Sequence, residues 1–208
     1  MCGRFVVKSS KVELEKAFDA HFEVSEQPLF VDALPSFYLP VIKQNNRGII
    51  NLLKWGLIPS WAKDPKIGNR LINARAETID EKPSFRNSFN NKRCLVLADA
   101  FYEWNENHKP FEIKMKNRSP FAFAGVYDVW NDAEGRPLET FSIITTTPNN
   151  MVGKIHGRMP VILESGQYNS FLDGRAEVKD IKKMLVPISD EDIEVNEIEP
   201  LLKIPRRT

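Results

Sequence analysis

From Cys94 onward, apolar and polar positions follow the pattern of strands, not helices. Cys94–Trp104, Phe111–Lys116, Phe121–Trp130 and Glu139–Thr146 are rich in apolar, aromatic and β-branched residues. Turn signals at Asn117–Ser119 and Asp132–Gly135 separate them. Phe111, Ile113 and Met115 alternate with charged residues, as expected where one sheet face is wet. Upstream, Gly3–Val7 reads as a short strand. Ile49–Leu53 reads as another, leading into WGLIPSW, where Pro59 interrupts any regular ladder.

Helical signals are short. Ser10 and Glu13 form a capping box, with Val12, Ala17 and Phe18 expected on one buried face. A small helix is predicted from Ser84. Another starts with Thr147 as cap and Pro148 in the first turn, and ends near Gly153. Met159–Leu163 reads as a strand, and Gln167–Leu172 and Val178–Leu185 as small helices. The stretch Gln27–Pro40 holds three prolines and reads as an ordered loop. The chain closes on an acidic run, Asp190–Glu199, then Lys203, Arg206 and Arg207. No internal repeat or linker is visible. The expectation is one α+β domain over residues 1–208: a mostly antiparallel twisted sheet or barrel-like β core with short peripheral helices.

Composition narrows the function only a little. The 208 residues are 42% hydrophobic and 27% charged, ordinary for a globular protein. No apolar stretch is long enough to span a bilayer, and MCGRFVVKSS lacks a signal peptide's apolar segment, so the expected location is cytoplasmic. Two cysteines are too few for a disulfide framework. Three widely separated histidines, without CxxC or HxxxH spacing, give no support for a zinc site, and no cofactor is implied. A net charge of +1 does not point to nucleic acid, so any such function must come from local placement of arginines.

Cys2 is the residue with unusual chemical reach. Cysteine is small enough for an aminopeptidase to remove Met1, which would leave an α-amine beside the thiol. Their reference pKa values, about 8 and about 8.5, leave both partly reactive near neutrality. The amine can make a Schiff base with an aldehyde, and the thiol can then close a five-membered thiazolidine on the same carbon. Taken alone, a cysteine at a chain end is more often incidental.

The chain opens with MCGRF and continues with WGLIPSWA (Trp55–Ala62), INARAET (Ile72–Thr78), RCLVLADAFYEW (Arg93–Trp104) and HGRMPVIL (His156–Leu163). These blocks, in this order, resemble the SRAP family of SOS-response-associated peptidases, from Cys2 to about Leu172. The resemblance implies a protein that binds abasic sites in single-stranded DNA, with Cys2 forming a thiazolidine crosslink to the ring-opened sugar. It implies that Asn73 orients the reacting terminus, that Glu103 is the acid–base carboxylate and that His156 promotes sugar-ring opening. Arg4, Arg75 and Arg158 are implied to hold DNA phosphate. Where the family commonly has an APTQ-like segment, this chain has VDALPSF (Val31–Phe37), in which Pro35 keeps the proline and a DNA contact is expected. LADAFYEW replaces a proline and a glycine of the family pattern with Leu97 and Ala100, so the backbone at residue 100 needs no positive φ.

The residue types suit that chemistry. Schiff-base formation shuttles protons, for which a histidine and a partly buried carboxylate are fitted. Arginines grip phosphate bidentately without reading sequence, which a lesion lacking its base requires. By residue type alone, His156 is as well read as a helix-closing histidine, Glu103 as a solvated strand residue, Asn73 as a turn residue and the arginines as surface charges. Among the aromatics, Trp55 and Phe101 are assigned to the core, and Trp61, after Pro59, to a base-stacking surface. Cys94 reads as a small buried hydrophobe. The competing function is a cysteine peptidase with Cys2 as nucleophile, including removal of its own Met1. A monomer is expected.

Overall fold

A computed structural model describes residues 2–23 and 31–201. Pro28, Lys203, Arg206 and Arg207 lie outside the described residues. The β strands fall into two sheets. In the larger one, β4 (Tyr38–Lys43), β5 (Asn46–Trp55), β7 (Arg93–Ala98), β10 (Phe121–Asn131) and β11 (Pro137–Thr146) pair in the order β11-β10-β7-β4-β5. Their ring closes because β5 pairs back onto β11, parallel, with Lys54 opposite Thr140 and Trp55 opposite Phe141. This is the expected barrel-like core, and closure removes the exposed edges an open sheet would carry. Short strands extend it: β2 (His21–Phe22) on β5, β6 (Asn73–Arg75) and β12 (Met159–Pro160) on β11, and β13 (Ile162–Leu163) on β10.

The second sheet has the order β14-β9-β8-β1-β3, with β1 at Phe5–Val7, β3 at Val31–Ala33, β8 at Ala100–Trp104, β9 at Pro110–Met115 and β14 at Ile193–Glu197. Phe5 of β1 is fully buried against the barrel, its ring 5.0 Å from Trp55 and 5.6 Å from Phe123. Phe101 and Phe121 also meet Phe123 edge-on, a geometry that aromatic quadrupoles favour. Trp55 is buried, its indole N–H donating to Ile72 O at 2.9 Å, so it belongs to the core as expected.

Several expectations are corrected. The run Cys94–Trp104 is not one strand. Asp99 breaks it by accepting from the amides of Lys8 (2.6 Å) and Ser9 (2.8 Å), and the chain passes there from barrel to second sheet. Ala100 is extended, without positive φ, as expected. The proline-rich stretch supplies β3 and the start of β4. The acidic run is partly β14, where Ile193 and Val195 alternate with polar residues and Glu194 stands opposite Lys114 of β9. Helix α1 (Lys11–Phe18) has the Ser10–Glu13 capping box, but its buried residue is Leu14, and Val12 is 72% exposed. Two helical steps of about 100° put Val12 on the far side from Leu14. Helix α3 (Asn150–Gly153) is capped by Asn149, not Thr147, because the Asn149 side chain reaches the Val152 amide at 2.9 Å. Helices α2 (Arg86–Asn91), α4 (Tyr168–Phe171) and α5 (Val178–Lys183) lie close to where they were expected.

Candidate active site

Strand pairing gathers the candidate residues. In the second sheet, β1 and β8 run antiparallel with Phe5 opposite Phe101, and the Tyr102 amide donates to Arg4 O at 3.0 Å. Continuing that register carries Glu103 toward Gly3, beside Cys2. On the barrel, β6 lies along β11 with Arg75 opposite Thr145, and Thr145 in turn faces Pro160 of β12. The INARAET and HGRMP blocks therefore flank one strand end.

The two groups meet at Cys2. Its side chain is fully buried, with Sγ 3.9 Å from Arg4 O. The Asn73 Nδ2 amide donates to Cys2 O at 2.8 Å, tying the chain's start to β6. Asn73 Oδ1 is buried and has no hydrogen-bond partner among the described residues. Burial pushes the Cys2 thiol well above its ordinary range, and the negative charge of Glu103 adds to this. Glu103 is itself buried, and desolvation raises its carboxyl pKa against the opposing positive charges of the amino terminus and His156. Glu103 thus lies within electrostatic reach of both Cys2 and His156.

His156 follows α3, and its Nδ1 is bracketed by the backbone of Arg158. Nδ1 lies 3.0 Å from the Arg158 amide N and 3.1 Å from the Arg158 carbonyl O. The Arg158 amide N–H donates to Nδ1 when that nitrogen carries no proton. The carbonyl serves as partner when Nδ1 is protonated. One backbone residue therefore accommodates both protonation states.

The arginines differ in situation. Arg75 is exposed at the end of β6. Arg4 is buried and forks onto Asp32 of β3, Nε to Oδ1 at 2.8 Å and Nη2 to Oδ2 at 2.6 Å. Arg158 forks onto Glu77, with Nη2 to Oε2 at 3.0 Å, and Nη2 also reaches Thr145 O at 2.6 Å. Asp32 and Glu77 were not singled out in the sequence. The signal for Glu77 was there in the alternation of Ala74 and Ala76, both buried, with polar Arg75 and Glu77, both exposed.

Trp61 is 59% exposed, as a stacking surface requires. Its loop is anchored by the Ser60 amide donating to Asp128 (2.9 Å) and by Trp130 Nε1 donating to Ala62 O (2.7 Å). Gly56, at φ 122°, brings its backbone against Gly68, where a side chain on either would strike the other's carbonyl. That contact folds the turn Pro65–Arg70 back beside Trp61, leaving a groove of about 350 Å³ lined by Trp61, Lys63, Lys66, Ile67 and Arg70. Asp64 lines the same groove. Pro35 is half-buried beside Ser36, whose amide donates to Trp55 O at 2.8 Å. A larger depression of about 390 Å³ near Lys8 and Lys114 lacks all the candidate residues.

The profile of the family described as SOS response associated peptidase (SRAP) matches residues 1–204. The chain belongs to the SRAP family. Among SRAP relatives, it is 40% identical to the abasic site processing protein YoqW of Bacillus subtilis, covering 99% of this chain and 96% of that protein. It is 32% identical to the abasic site processing protein HMCES of Xenopus tropicalis over 68% of this chain, and spans half of that longer protein. A crystal structure of a protein from Bacteroides thetaiotaomicron superposes with a TM-score of 0.88 at 30% identity, covering 95% of this chain and 92% of the other. A Bordetella bronchiseptica protein, at 23% identity and a TM-score of 0.83, shares the SRAP fold. Among the described residues, no helix is long and apolar enough to cross a membrane.

Proposed function

We propose that this protein processes abasic sites by forming a covalent crosslink between mature Cys2 and the lesion in single-stranded DNA. The observation that carries this reading is the Asn73–Cys2 contact: Nδ2 holds the Cys2 carbonyl at 2.8 Å while Oδ1 remains a buried acceptor without a donor among the described residues. An orphaned buried acceptor is costly, and the α-amine exposed on removal of Met1 is a donor one residue's length from that carbonyl.

The chemistry runs in order of reactivity. His156 assists opening of the sugar hemiacetal by moving a proton to the ring oxygen, which frees the aldehyde. The Cys2 amine adds to the aldehyde carbon, and Glu103 donates the proton with which the oxygen leaves as water, giving the imine. The Cys2 S–H then adds across C=N, sulfur to carbon and hydrogen to nitrogen, closing the thiazolidine. A buried, protonated thiol beside Glu103 favours this order, with the amine attacking first. Arg75, Arg4 and Arg158 supply positive charge for the flanking phosphates, and Trp61, with Pro35, offers apolar surface to adjacent bases. Names of relatives that specify abasic site processing support the substrate class.

Mixing the mature protein with abasic single-stranded oligonucleotide is expected to give a complex that survives denaturation, and Cys2→Ala is expected to abolish it. Wild-type protein that migrates freely after denaturation would overturn the reading. The family's peptidase title points to a second use of the thiol, attack on a substrate's peptide carbonyl. Acetylating the mature α-amine separates the two, because a peptidase needs only the sulfur whereas the thiazolidine needs both atoms.

A further inference from the structure

We propose that Glu77 is a positioning residue for His156, acting through Arg158. This rests on the crosslinking reading above and assigns part of its control to a carboxylate outside the set Cys2, Asn73, Glu103 and His156. Glu77 follows β6 on the turn Ala76–Thr78 and, like Arg75, is exposed. Its two oxygens take both Nη groups of Arg158, and Nη2 is shared with the carbonyl (2.6 Å) and hydroxyl (3.2 Å) of Thr145. The third guanidinium nitrogen, Nε, is buried with no partner among the described residues. The Arg158 side chain is thus fastened to β6 and β11 before any DNA arrives, and is only 17% exposed.

The consequence reaches the imidazole through the backbone. The amide and carbonyl that bracket His156 Nδ1 belong to the same Arg158. Gly157, between them, restrains the loop least, so the loop's geometry is set by where Arg158 is held. Glu77 and Thr145 therefore fix the ring's direction through the backbone that brackets Nδ1, as outer-shell partners do for metal-ligating histidines. A carboxylate in a bidentate pair with arginine stays ionised well into acid, and the Arg158 contact holds the Glu77 carboxyl below its usual range.

The alternative use of the same pair is competition, in which Glu77 occupies a guanidinium that DNA phosphate would otherwise take. The two are separable. In Glu77→Gln, measured on the full-length mature protein with abasic single-stranded oligonucleotide, positioning predicts a crosslinking rate constant at saturating DNA about tenfold lower. The salt slope of binding should not change, since Arg158 stays fastened and no phosphate contact is added. Glu77→Asp, which keeps the charge, should recover part of the rate. In a His156→Ala background, Glu77→Gln should have no further effect. Tighter binding of Glu77→Gln, with a salt slope steeper by about one phosphate contact, would instead establish competition and overturn the proposal. An unchanged rate constant, or a tenfold loss that persists without His156, would also overturn it. Glu77 is 46% exposed, so the fold should tolerate the change. Thr145→Val, which removes the hydroxyl from the other side of Arg158, gives an independent arm and should lower the same rate constant. Failure of wild-type protein to crosslink at all would count against the function, not against the clamp.

Discussion

Arg93 brings a full charge to a position 1% exposed and turns all three guanidinium nitrogens onto backbone carbonyls. Nε reaches Phe171 O (2.7 Å), Nη1 reaches Phe89 O (2.8 Å) and Asn90 O (3.1 Å), and Nη2 reaches Asp173 O (2.7 Å). These carbonyls lie at the C-terminal ends of α2 and α4, where helices lack internal donors and carry partial negative charge. Arg93 is thus a shared cap that fastens two helices to β7. Arg93→Met should lower stability by about 3–5 kcal/mol, because several buried carbonyls lose their partner together. Arg93→Lys should recover only part, since one ammonium cannot span that fork. Urea unfolding checks both, with a lower midpoint and an unchanged slope expected; a lysine variant as stable as wild type would refute the fork. At this scale the sequence was readable where a residue's chemistry is rare, and opaque where partnership decides its role. Cys2 stood out by position. By contrast Asp32, Glu77 and Arg93 look like surface charges until the partner strand is known.

Among the elements, β10 depends most on what it lacks. Gly125 sits mid-strand between Cys94 of β7 and Ile143 of β11. A Cβ there would lie 2.9 Å from Cys94 Sγ, 2.9 Å from Val96 Cγ2 and 3.2 Å from Ser142 O. The glycine is required by close approach of the barrel wall, not by its backbone angles. Gly125→Ala should cost about 1–3 kcal/mol as overpacking. Adding Cys94→Ala should restore part of it, so the double variant is more stable than the sum of the singles predicts. Thermal unfolding of the four proteins tests this, and strict additivity would mean that the strand simply shifts. The strands from residue 93 on were legible because period-two alternation and apolar runs report directly on burial. Breaks within those runs were not, because Asp99 and the split at Val161 turn the chain through contacts with distant strands. The caps show the same limit: Ser10 was identified correctly because its reciprocal partner is local, whereas Asn149 displaced Thr147 by geometry alone.

The molecule as a whole buries Cys2 where two sheets meet, and the electrostatic cost there falls on Glu103. Barrel closure through β5 and β11 could not be read from the sequence, since a parallel pairing between strands so distant along the chain leaves no local trace; the order of motif blocks carried that information instead. Burial raises the Glu103 pKa in the folded protein, with the amino terminus and His156 opposing. Below the ordinary carboxylate range, about pH 4, folded and unfolded chains are both protonated and the difference in acidity has no effect. Between that range and the raised value, the folded state holds more protons than the unfolded state, so stability falls as pH rises. Above the raised value the full penalty remains, about 1.4 kcal/mol for every tenfold loss of acidity. Glu77 has the opposite sign: its lowered pKa stabilises the fold above the carboxylate range and is lost as pH falls through the folded value. Glu103→Gln should therefore leave the unfolding temperature nearly unchanged near pH 4 and raise it progressively toward pH 8, while crosslinking falls. Unfolding scans of the two proteins across that range decide it. A difference that does not vary with pH would mean that Glu103 is not held against its ionisation. A growing one would show the site retaining a carboxyl proton at the expense of the fold, as an acid poised to release water from a carbinolamine requires.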